Sequence, residues 1–542
     1  MIARRFRDII KQHIAILIFI AFYLAVALLT YKDFGLTWDE PVNYNHGVVS
    51  YEHIFNKKVA RADTFNKTNG WLDIQDGGNF ANFERYTKVS AEQLYYYLHY
   101  SAFYPMILFI LNSDKSIDRY HLLNMVFALG VFITIYCLFY RQYHDQKIAI
   151  LAPLFLFLTP RFTGDIPANP KDVPFAVMYL ISCSSLYLFS ASKKVLTKIL
   201  CLGILFGITQ NLRAAGVTLY GLLFLYDTYA YYQDRRNNNA PAAQTWAQFL
   251  ILEIQTAILI GMVALLFSLL TWPYLAMNII PNLQEIFAVQ RNYTWNETVL
   301  YNGSYVEGTR LPGNYFTTWF AISTPIMILV PALLSPFLIS NRFQHRLFVL
   351  FFFMITLNTI AYLMVRPVAY DGVRLFLLLV PPLSSLAALA VIEYCKASKN
   401  RLIKVIIGIL IGINAGAVLK EMLALHPYQY IYFNSLVGGL QGAYKKYDTE
   451  YWGASYNEAI NWFKENIATD RNKIYKIHVW GIKYYVVYQA KNIKMVHRTE
   501  ADYFFWSTRR MQEEPTKDEI LHVIQRKGIP LVFITRKIKD SS

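Results

Sequence analysis

Long apolar stretches separated by short polar breaks occupy the first 420 residues of the chain. The first stretch, 14–30, carries no charged residue and follows a basic N-terminal tip, a pattern typical of a signal anchor whose N-terminus stays in the cytoplasm. Later stretches are also long and apolar enough to cross a bilayer. The pattern predicts a polytopic α-helical membrane protein with about 11 transmembrane helices, over residues 14–31, 119–140, 147–160, 174–191, 196–212, 214–232, 247–272, 316–340, 345–365, 371–392 and 402–420.

Basic residues are concentrated in those breaks that an alternating path places on the same side as the N-terminal tip. The positive-inside bias makes that side cytoplasmic. The apolar, tyrosine-rich segment 94–111 is therefore predicted to lie in the outer interface, because an additional span there would move every later basic loop outside.

This path divides the chain into a transmembrane domain, 1–426, and an extracytoplasmic C-terminal domain, 427–542. The outer loops of the transmembrane domain are predicted at 32–118, 160–174, 273–315 and 366–371. The tail mixes polar and apolar residues and is predicted to form a small α/β domain. Its elements are expected to be helices at 455–467 and 517–527 and strands at 474–480 and 530–535.

Composition agrees with a membrane protein, since 55% of the residues are hydrophobic, 16% are charged and the mean hydropathy is +0.27. A net charge of +16 would suggest a nucleic-acid partner in a soluble protein. Here much of the Lys and Arg lies in the breaks that set orientation, so no nucleic-acid partner is expected. The four cysteines lie in or beside apolar stretches without paired metal-ligand spacing, so neither a disulfide framework nor a zinc site is expected.

The first polar cluster, Trp38-Asp39-Glu40-Pro41, follows the first span directly. Proline favours the first turn of a helix, so Asp39 or Glu40 is predicted to cap a helix over about 41 to 56. Capping alone is one explanation of the two acids. The other is a chemical role, because paired carboxylates at the exit of a membrane span are costly without one.

The second cluster covers residues 163–174, between two predicted spans. Asp172 is placed to cap the following span, because Pro174 lies in its first turn. Lys171 is suited to bind a phosphate as a point charge. A turn-forming linker is the alternative interpretation of this cluster. Asp165 is a second candidate for any role that a carboxylate plays here.

The third cluster, 366–374, leads into another span. An unpaired Arg374 about one turn inside that span would cost about 3 kcal/mol or more, so it needs an anionic partner. Asp371, three residues earlier, is one candidate, and a lipid phosphate is the other. Arg213, between two further spans, is expected either to snorkel to the interface or to join the same anion site.

No nucleotide-binding loop, dinucleotide fingerprint, metalloprotease motif or nucleophile elbow is present in the sequence. The three clusters instead resemble motifs of polyprenyl-phosphate-sugar-dependent glycosyltransferases of the GT-C fold, the superfamily of protein O-mannosyltransferases and lipid A aminoarabinose transferases. The span arrangement over about 1–420 and the outer C-terminal domain are also similar to that architecture. The motifs that carry the resemblance are Thr37-Trp38-Asp39-Glu40-Pro41, Asn169-Pro170-Lys171-Asp172-Val173-Pro174-Phe175, and Tyr370-Asp371-Gly372-Val373-Arg374 running into Pro381-Pro382.

The resemblance implies roles for the acids. Asp39 matches the first-loop acid that activates the acceptor and also binds a divalent cation, and Glu40 matches the second acid of that pair, so both are predicted to be catalytic. Asp172 matches the acid associated with the same metal, which would be Mg²⁺ or Mn²⁺. Asp165 competes with Asp172, so the second metal ligand stays open.

The resemblance also implies a substrate-binding set of Lys171, Tyr370 and Arg374, in which the two basic residues hold the lipid phosphate. The chemistry is consistent with this, because a sugar on polyprenyl phosphate has a good leaving group once cations neutralise its developing charge. A carboxylate on the opposite face of the sugar would accept the proton of the acceptor hydroxyl, and direct displacement would invert the anomeric centre. The predicted partners are the lipid-linked sugar, membrane lipid, and a glycan, lipid or protein acceptor.

The predicted location is a bacterial inner membrane, with the N-terminus in the cytoplasm and the C-terminal domain in the periplasm, since the terminus carries no retention signal. A lipid-linked glycan transporter or flippase is the main alternative, although its charges are expected near mid-membrane within matching halves. In this sequence the charges gather at one face and the halves do not match. An oligosaccharide polymerase or ligase would differ only in donor and acceptor, and a membrane scaffold would make the three clusters incidental.

Overall fold

The computed structural model describes residues 10–56, 100–112, 116–190, 194–237, 245–291, 295, 297–342, 345–480, 492–509, 511, 514–515 and 517–538. Its helices are α1 Ile14–Thr30, α2 Asp39–Phe55, α3 Phe103–Leu111, α4 Ile117–Tyr143, α5 Gln146–Ala149, α6 Leu151–Phe157, α7 Pro160–Asp165, α8 Asp172–Phe189, α9 Val195–Leu212, α10 Thr218–Arg236, α11 Trp246–Thr271, α12 Pro273–Met277, α13 Ile279–Arg291, α14 Tyr315–Ser323, α15 Ile326–Leu338, α16 Arg346–Val365, α17 Val380–Ala397, α18 Arg401–Leu425, α19 Gly439–Ala443 and α20 Tyr456–Asn466. Its strands are β1 Thr298–Tyr301, β2 Ser304–Glu307, β3 Tyr475–Trp480, β4 Ile493–Met495, β5 Tyr503–Ser507, β6 Glu519–Arg526 and β7 Ile529–Arg536.

Seven helices in the described part of the chain are long and apolar enough to cross a membrane, and shorter apolar helices accompany them. The predicted polytopic helical membrane protein is therefore confirmed. The predicted span 316–340 is two helices, α14 and α15, because Pro325 separates them. The predicted span at 214–232 corresponds to α10. This helix is not one of the seven candidate membrane-spanning helices, because it contains several acidic and basic residues.

Burial separates central helices from peripheral ones. In the 18-residue apolar part of the span Arg374–Ala397, 83% is buried within the protein. In the corresponding part of α18, only 6% is buried. An apolar helix exposed to this degree is stable only where lipid replaces water around it. The polar clusters at the starts of α8 and of the Arg374 segment therefore belong to the interior of the bundle.

A linking segment, 426–455, follows α18 and packs against the membrane helices. Gly164 in α7 permits this, because a Cβ there would lie 2.4 Å from the backbone nitrogen of Tyr430. His426 Nε2 lies 2.8 Å from Asp33 Oδ2 just after α1, and the backbone N–H of Trp38 donates to the carbonyl of Trp452. The segment thereby fixes the start of α2 at the end of the bundle that carries the C-terminal domain.

The C-terminal domain contains a five-stranded sheet of order β4-β3-β5-β7-β6. β3 is parallel to β4 and β5, and β7 is antiparallel to β5 and β6. α20 packs on this sheet through the buried ring of Phe463, which contacts Phe505 at a centroid distance of 5.4 Å. The predicted α/β character is confirmed.

The predicted helix at 517–527 is wrong, because this segment is strand β6. β6 forms a hairpin with β7 through Lys527-Gly528, which both have positive φ, at 54° and 79°. A two-residue turn of this kind matches the right-handed twist of paired strands. The Lys-Gly pair was the signal for the hairpin, and the charged residues around it obscured the strand pattern.

The first loop is only partly described. The section of the predicted interface helix before residue 100 lies outside the described residues, and from Phe103 to Leu111 the chain is helical as α3. The placement of this helix in the membrane interface stays a prediction.

Candidate functional site

The three polar clusters of the sequence meet around the guanidinium group of Arg374. Its Nη2 contacts Asp39 Oδ2, its Nε lies 3.1 Å from Asp172 Oδ2, and its Nη1 lies 2.9 Å from Asp371 Oδ2. The side chains of Arg374, Asp172 and Asp371 are 5%, 3% and 3% exposed, whereas that of Asp39 is 33% exposed. Segments more than 130 residues apart therefore converge on one buried cation, with a single acid open to a substrate.

Asp39 and Asp172 are each the first residue of a helix, α2 and α8, where exposed backbone N–H groups favour negative charge. The predicted capping roles of these residues are wrong, because neither helix has a side-chain cap. Asn169 Oδ1 instead accepts the backbone N–H of Asp172 at 2.8 Å, and Asn169 Nδ2 donates to Asp172 Oδ2. The carboxylate of Asp172 thus remains directed at arginines.

A tight turn presents Asp371 to Arg374. Asp371 and Gly372 have φ of 58° and 70°, and the backbone N–H of Gly372 donates to the Tyr315 hydroxyl. A Cβ on Gly372 would lie 3.0 Å from the Trp319 ring, so the Asp-Gly pair suits both the backbone and the space. Asp371, one of the two partners that the sequence left open for Arg374, does contact it, and Arg374 has two further acidic partners.

Two more cations lie beside Asp172. Arg213 Nη2 contacts Asp172 Oδ1, while Arg213 Nε is buried and has no hydrogen-bond partner among the described residues. Burial, and then the neighbouring charge of Arg213, lower the pKa of Lys171 to about 8, against an opposing effect of Asp172. Arg213 thus joins the cluster rather than snorkelling away, and the mutual repulsion of Lys171 and Arg213 favours an anion between them.

Arg509 is a residue of the cluster that the sequence did not indicate. It follows β5 in the C-terminal domain, and its Nη2 donates to Asp371 Oδ1 at 2.7 Å while its Nη1 donates to the carbonyl of Tyr451 at 2.6 Å. The described cluster is thus a branched network of three arginines and three aspartates, in which Arg374 contacts Asp39, Asp172 and Asp371, while Arg213 contacts Asp172 and Arg509 contacts Asp371. No local pattern in the sequence marks a lone arginine in the C-terminal domain as part of a site that the membrane helices form.

Glu40 is not brought to the cluster. Its Oε2 accepts the backbone N–H and the hydroxyl of Thr37 at 2.7 and 3.1 Å, and its Oε1 lies 2.8 Å from His121 Nε2. Glu40 and His121 are fully buried. The position of Glu40 therefore fits a structural link between the start of α2 and α4, and gives no support to the catalytic role predicted for it.

Asp165 and Asp172 take separate positions, although the sequence left them as alternatives. Asp165 Oδ1 accepts the indole N–H of Trp452 at 2.7 Å, and the Trp452 ring centroid lies 4.1 Å from the guanidinium carbon of Arg374. Burial raises the pKa of Asp165 to about 7, although the Trp452 hydrogen bond and Arg161 act in the opposite direction. Asp165 thus supports Trp452 beneath the cluster, while Asp172 contacts the arginines directly.

Aromatic rings line the side of the cluster formed by Tyr370. The guanidinium carbon of Arg374 lies 5.6 Å from the centroid of the Tyr370 ring, and Tyr370 stacks on Trp295 at 4.5 Å and 22°. Both rings are partly exposed. Trp295 is a second residue that the sequence did not indicate, since a single tryptophan in a polar loop carries no specific signal.

A divalent cation does not fit the arrangement that the structure shows. Both oxygens of Asp172 contact arginines, and one oxygen of Asp39 contacts Arg374. Within the described ranges, no group of three or more His, Cys, Asp or Glu side chains is placed to hold a metal ion. Guanidinium groups occupy the positions at which hard cations would meet these carboxylates, so the chemistry below includes no metal step.

No family model matches the chain, and no curated protein matches it. Three similar solved structures are ArnT from Cupriavidus metallidurans bound to undecaprenyl phosphate, the archaeal oligosaccharyltransferase AglB from Archaeoglobus fulgidus in complex with an inhibitory peptide and a dolichol-phosphate, and the arabinofuranosyltransferase AftD from Mycobacteria. The identities are 10%, 12% and 11%, and the TM-scores are 0.46, 0.41 and 0.41. The similarity covers 96%, 89% and 96% of this chain and 98%, 65% and 42% of the respective structures. At these scores the likeness by itself assigns neither fold nor activity to the chain.

Proposed function

We propose that the protein is a glycosyltransferase that moves a sugar from a polyprenyl-phosphate donor to an acceptor hydroxyl at the extracytoplasmic face of a membrane. The observation that carries this proposal is the convergence of Asp39, Asp172 and Arg374 at the end of an apolar helical bundle. A soluble substrate would not require such a site beside a lipid-facing bundle, whereas a sugar attached to a membrane lipid does. Each of the three sequence motifs that resemble GT-C enzymes supplies a residue to this contact, and the third also supplies Asp371.

The donor phosphate is best accommodated by Lys171 and Arg213. Each nitrogen position of Arg374 already contacts a carboxylate, so Arg374 has little capacity for a phosphate. Arg213 has a buried Nε without a partner among the described residues, and the Lys171 amine lies near it. A phosphate between these cations would gain charge-assisted hydrogen bonds and relieve their repulsion.

Asp39 is the proposed general base. Arg374 holds one of its oxygens, and the side chain is 33% exposed, which leaves room for an acceptor. The proton of the acceptor hydroxyl moves to the Asp39 carboxylate as the acceptor oxygen forms a bond to the anomeric carbon. The bond from that carbon to the phosphate oxygen breaks, and the electron pair leaves with the polyprenyl phosphate, whose charge Lys171 and Arg213 stabilise. Attack from the side opposite the phosphate inverts the anomeric centre.

The proposed setting is a bacterial inner membrane with the C-terminal domain in the periplasm. The acceptor is a glycan, a lipid or a protein, and a polymerase or ligase would use the same machinery. The decisive experiment incubates the purified protein with a panel of radiolabelled polyprenyl-phosphate sugars and an extract of membrane glycans, lipids and proteins. Label that becomes covalently attached to an acceptor supports transfer, whereas label that only crosses the bilayer of a reconstituted vesicle indicates a flippase.

Neutralising the phosphate-binding cations is expected to weaken donor use. Lys171→Met and Arg213→Gln should each raise the KM for the donor about 10-fold or more, since each removes one charge-assisted hydrogen bond worth about 1.5–3 kcal/mol. Initial rates at varied donor concentration measure this effect. Lys445→Met is the control, since that exposed lysine pairs with Glu514. An unchanged donor KM in both variants would place the phosphate elsewhere.

Chelation is expected to leave transfer intact. The carboxylates of the cluster already have guanidinium partners, so removal of divalent cations by EDTA should change the initial rate less than about 2-fold, far below the 10-fold that a lost 1.4 kcal/mol would give. Rates measured before and after chelation, and after Mg²⁺ or Mn²⁺ is restored, provide the comparison. Loss of activity that either cation reverses would restore the metal role of Asp39 and Asp172.

A further inference from the structure

We propose that Arg509 is a positioning residue that the C-terminal domain contributes to the active site, so that sugar transfer requires this domain to be docked on the membrane domain. The inference rests on the proposed function. Arg509 acts through Asp371 and Trp38, which are neighbours of the reacting groups, rather than through contact with the sugar.

The contact with Asp371 is buried and directional. Arg509 Nη2 lies 2.7 Å from Asp371 Oδ1, while Arg374 Nη1 lies 2.9 Å from Asp371 Oδ2. Asp371 is 3% exposed and Arg509 is 14% exposed. Two arginines from different domains therefore share one carboxylate, each through its own oxygen.

Arg509 also reaches the segment that contains Asp39. Its guanidinium carbon lies 5.5 Å from the centroid of the Trp38 ring, and its Nη1 donates to the carbonyl of Tyr451. The indole N–H of Trp38 donates to that same carbonyl at 3.1 Å. Arg509 thus fastens the residue next to the proposed base to the linking segment.

The position of Arg509 is fixed within its own domain. Its backbone N–H donates to the Ser507 hydroxyl at 3.2 Å. Ser507 is the last residue of β5, and its own backbone N–H donates to the Tyr456 hydroxyl at 3.0 Å. The end of β5 is therefore held against α20. A displacement of the domain would carry Arg509 away from Asp371.

Charge balance explains why this contact matters for the reaction. Without Arg509, Asp371 would lose one of its cationic partners and would compete more strongly for Arg374. Arg374 would then hold Asp39 and Asp172 less well. Since a misplacement of about 1 Å can reduce a rate about 100-fold, a shift of Asp39 should appear in kcat.

The experiment compares Arg509→Ala, Arg509→Lys, Asp371→Asn and the double variant in the full-length protein, with transfer measured at varied donor concentration. Arg509→Ala is expected to lower kcat about 10- to 100-fold while the donor KM stays within about 2-fold, because the phosphate-binding cations are untouched. Arg509→Lys should restore part of kcat, since an amine keeps the charge but not the two-pronged geometry. The loss in the double variant should equal that in Asp371→Asn alone, since the two residues act as one unit.

Arg526→Ala is the matched control for domain docking. Arg526 pairs with Glu458 Oε2 of α20 at 2.6 Å and joins the domain to the linking segment through the His426 carbonyl at 3.0 Å, and no contact of Arg526 with the cluster occurs among the described residues. An equal loss of kcat in Arg526→Ala would overturn the proposal, as would fully additive losses in the double variant or a rise in donor KM as the main effect of Arg509→Ala.

A readout that needs no activity separates this proposal from the proposed function. The unfolding midpoints in detergent of the wild type, Arg509→Ala, Asp371→Asn and the variant with both substitutions form a second double-mutant cycle, in which coupling between Arg509 and Asp371 is expected. Additive shifts in the midpoints would overturn the Arg509 proposal. A wild-type protein that transfers no sugar from any donor would instead contradict the proposed function, whatever the coupling.

Discussion

Asp39→Asn is expected to abolish sugar transfer and to leave the protein folded. The amide cannot accept the proton of the acceptor hydroxyl, and loss of a general base lowers a rate by about 10²- to 10⁴-fold. Its oxygen can still accept the hydrogen bond from Arg374, so the cluster keeps its geometry. Initial rates with a radiolabelled donor measure the loss, and the thermal unfolding midpoint in detergent reports the fold.

Asp33→Asn is the matched control for this prediction. Asp33 lies six residues earlier, is 46% exposed and contacts His426 rather than the cluster. Its substitution removes one negative charge from the same face of the molecule and should leave the rate unchanged. If Asp39→Asn retained the wild-type rate, or if both variants lost activity equally, the base assignment would be refuted.

The helical part of the fold was predictable because each membrane helix leaves a signal along its own length. A helix in lipid must satisfy its backbone internally and cover itself with apolar side chains, so the hydropathy pattern alone locates it. The break at Pro325 was visible as a proline, but its effect on the predicted span 316–340 depends on packing around α14 and α15. The β6–β7 hairpin depends on pairing across the sheet, which the charged surface of β6 concealed.

The site was predictable where local energetics demanded a partner. Arg374 at the start of an apolar helix had to meet an anion, and acids at helix starts were the available candidates. The choice between Asp39 and Glu40 was beyond the sequence, because successive helical residues point about 100° apart and only packing reveals which one meets His121. Arg509 and Trp295 were unpredictable, since their places follow from how separate segments dock.

The pairing within the cluster has a physical reason. A buried charge costs several kcal/mol unless it is paired, and each of the three arginines contacts at least one of the three acids. Such a network rarely increases stability over apolar packing, so its presence in the interior favours a functional explanation. Asp39, the most exposed of the three acids, is the member that a substrate can reach without disturbing the buried contacts.

Arg374→Ala is expected to destabilise the protein by about 3–5 kcal/mol and to eliminate transfer, because it removes the central cation from three carboxylates at once. Asp172 and Asp371 would keep Arg213 and Arg509 as partners, but Asp39 would lose its contact with the cluster. Unfolding in detergent measures the stability. Arg310→Ala is the control, since Arg310 is 79% exposed, pairs with Glu307 in solvent, and should cost only about 0–1 kcal/mol.

Arg374→Ala and Arg374→Lys together decide between the two partners that the sequence allowed for Arg374, which are a carboxylate and a lipid phosphate. If the guanidinium serves the carboxylates, Arg374→Lys should recover part of the stability but little of the rate, since one amine cannot reproduce three directed contacts. If it serves the lipid phosphate, Arg374→Ala should keep its stability and show mainly a higher donor KM. The contacts to Asp39, Asp172 and Asp371 favour the first result, because a buried guanidinium with three acidic partners cannot turn to a phosphate without giving up those contacts, including the one that joins Asp39 to the cluster.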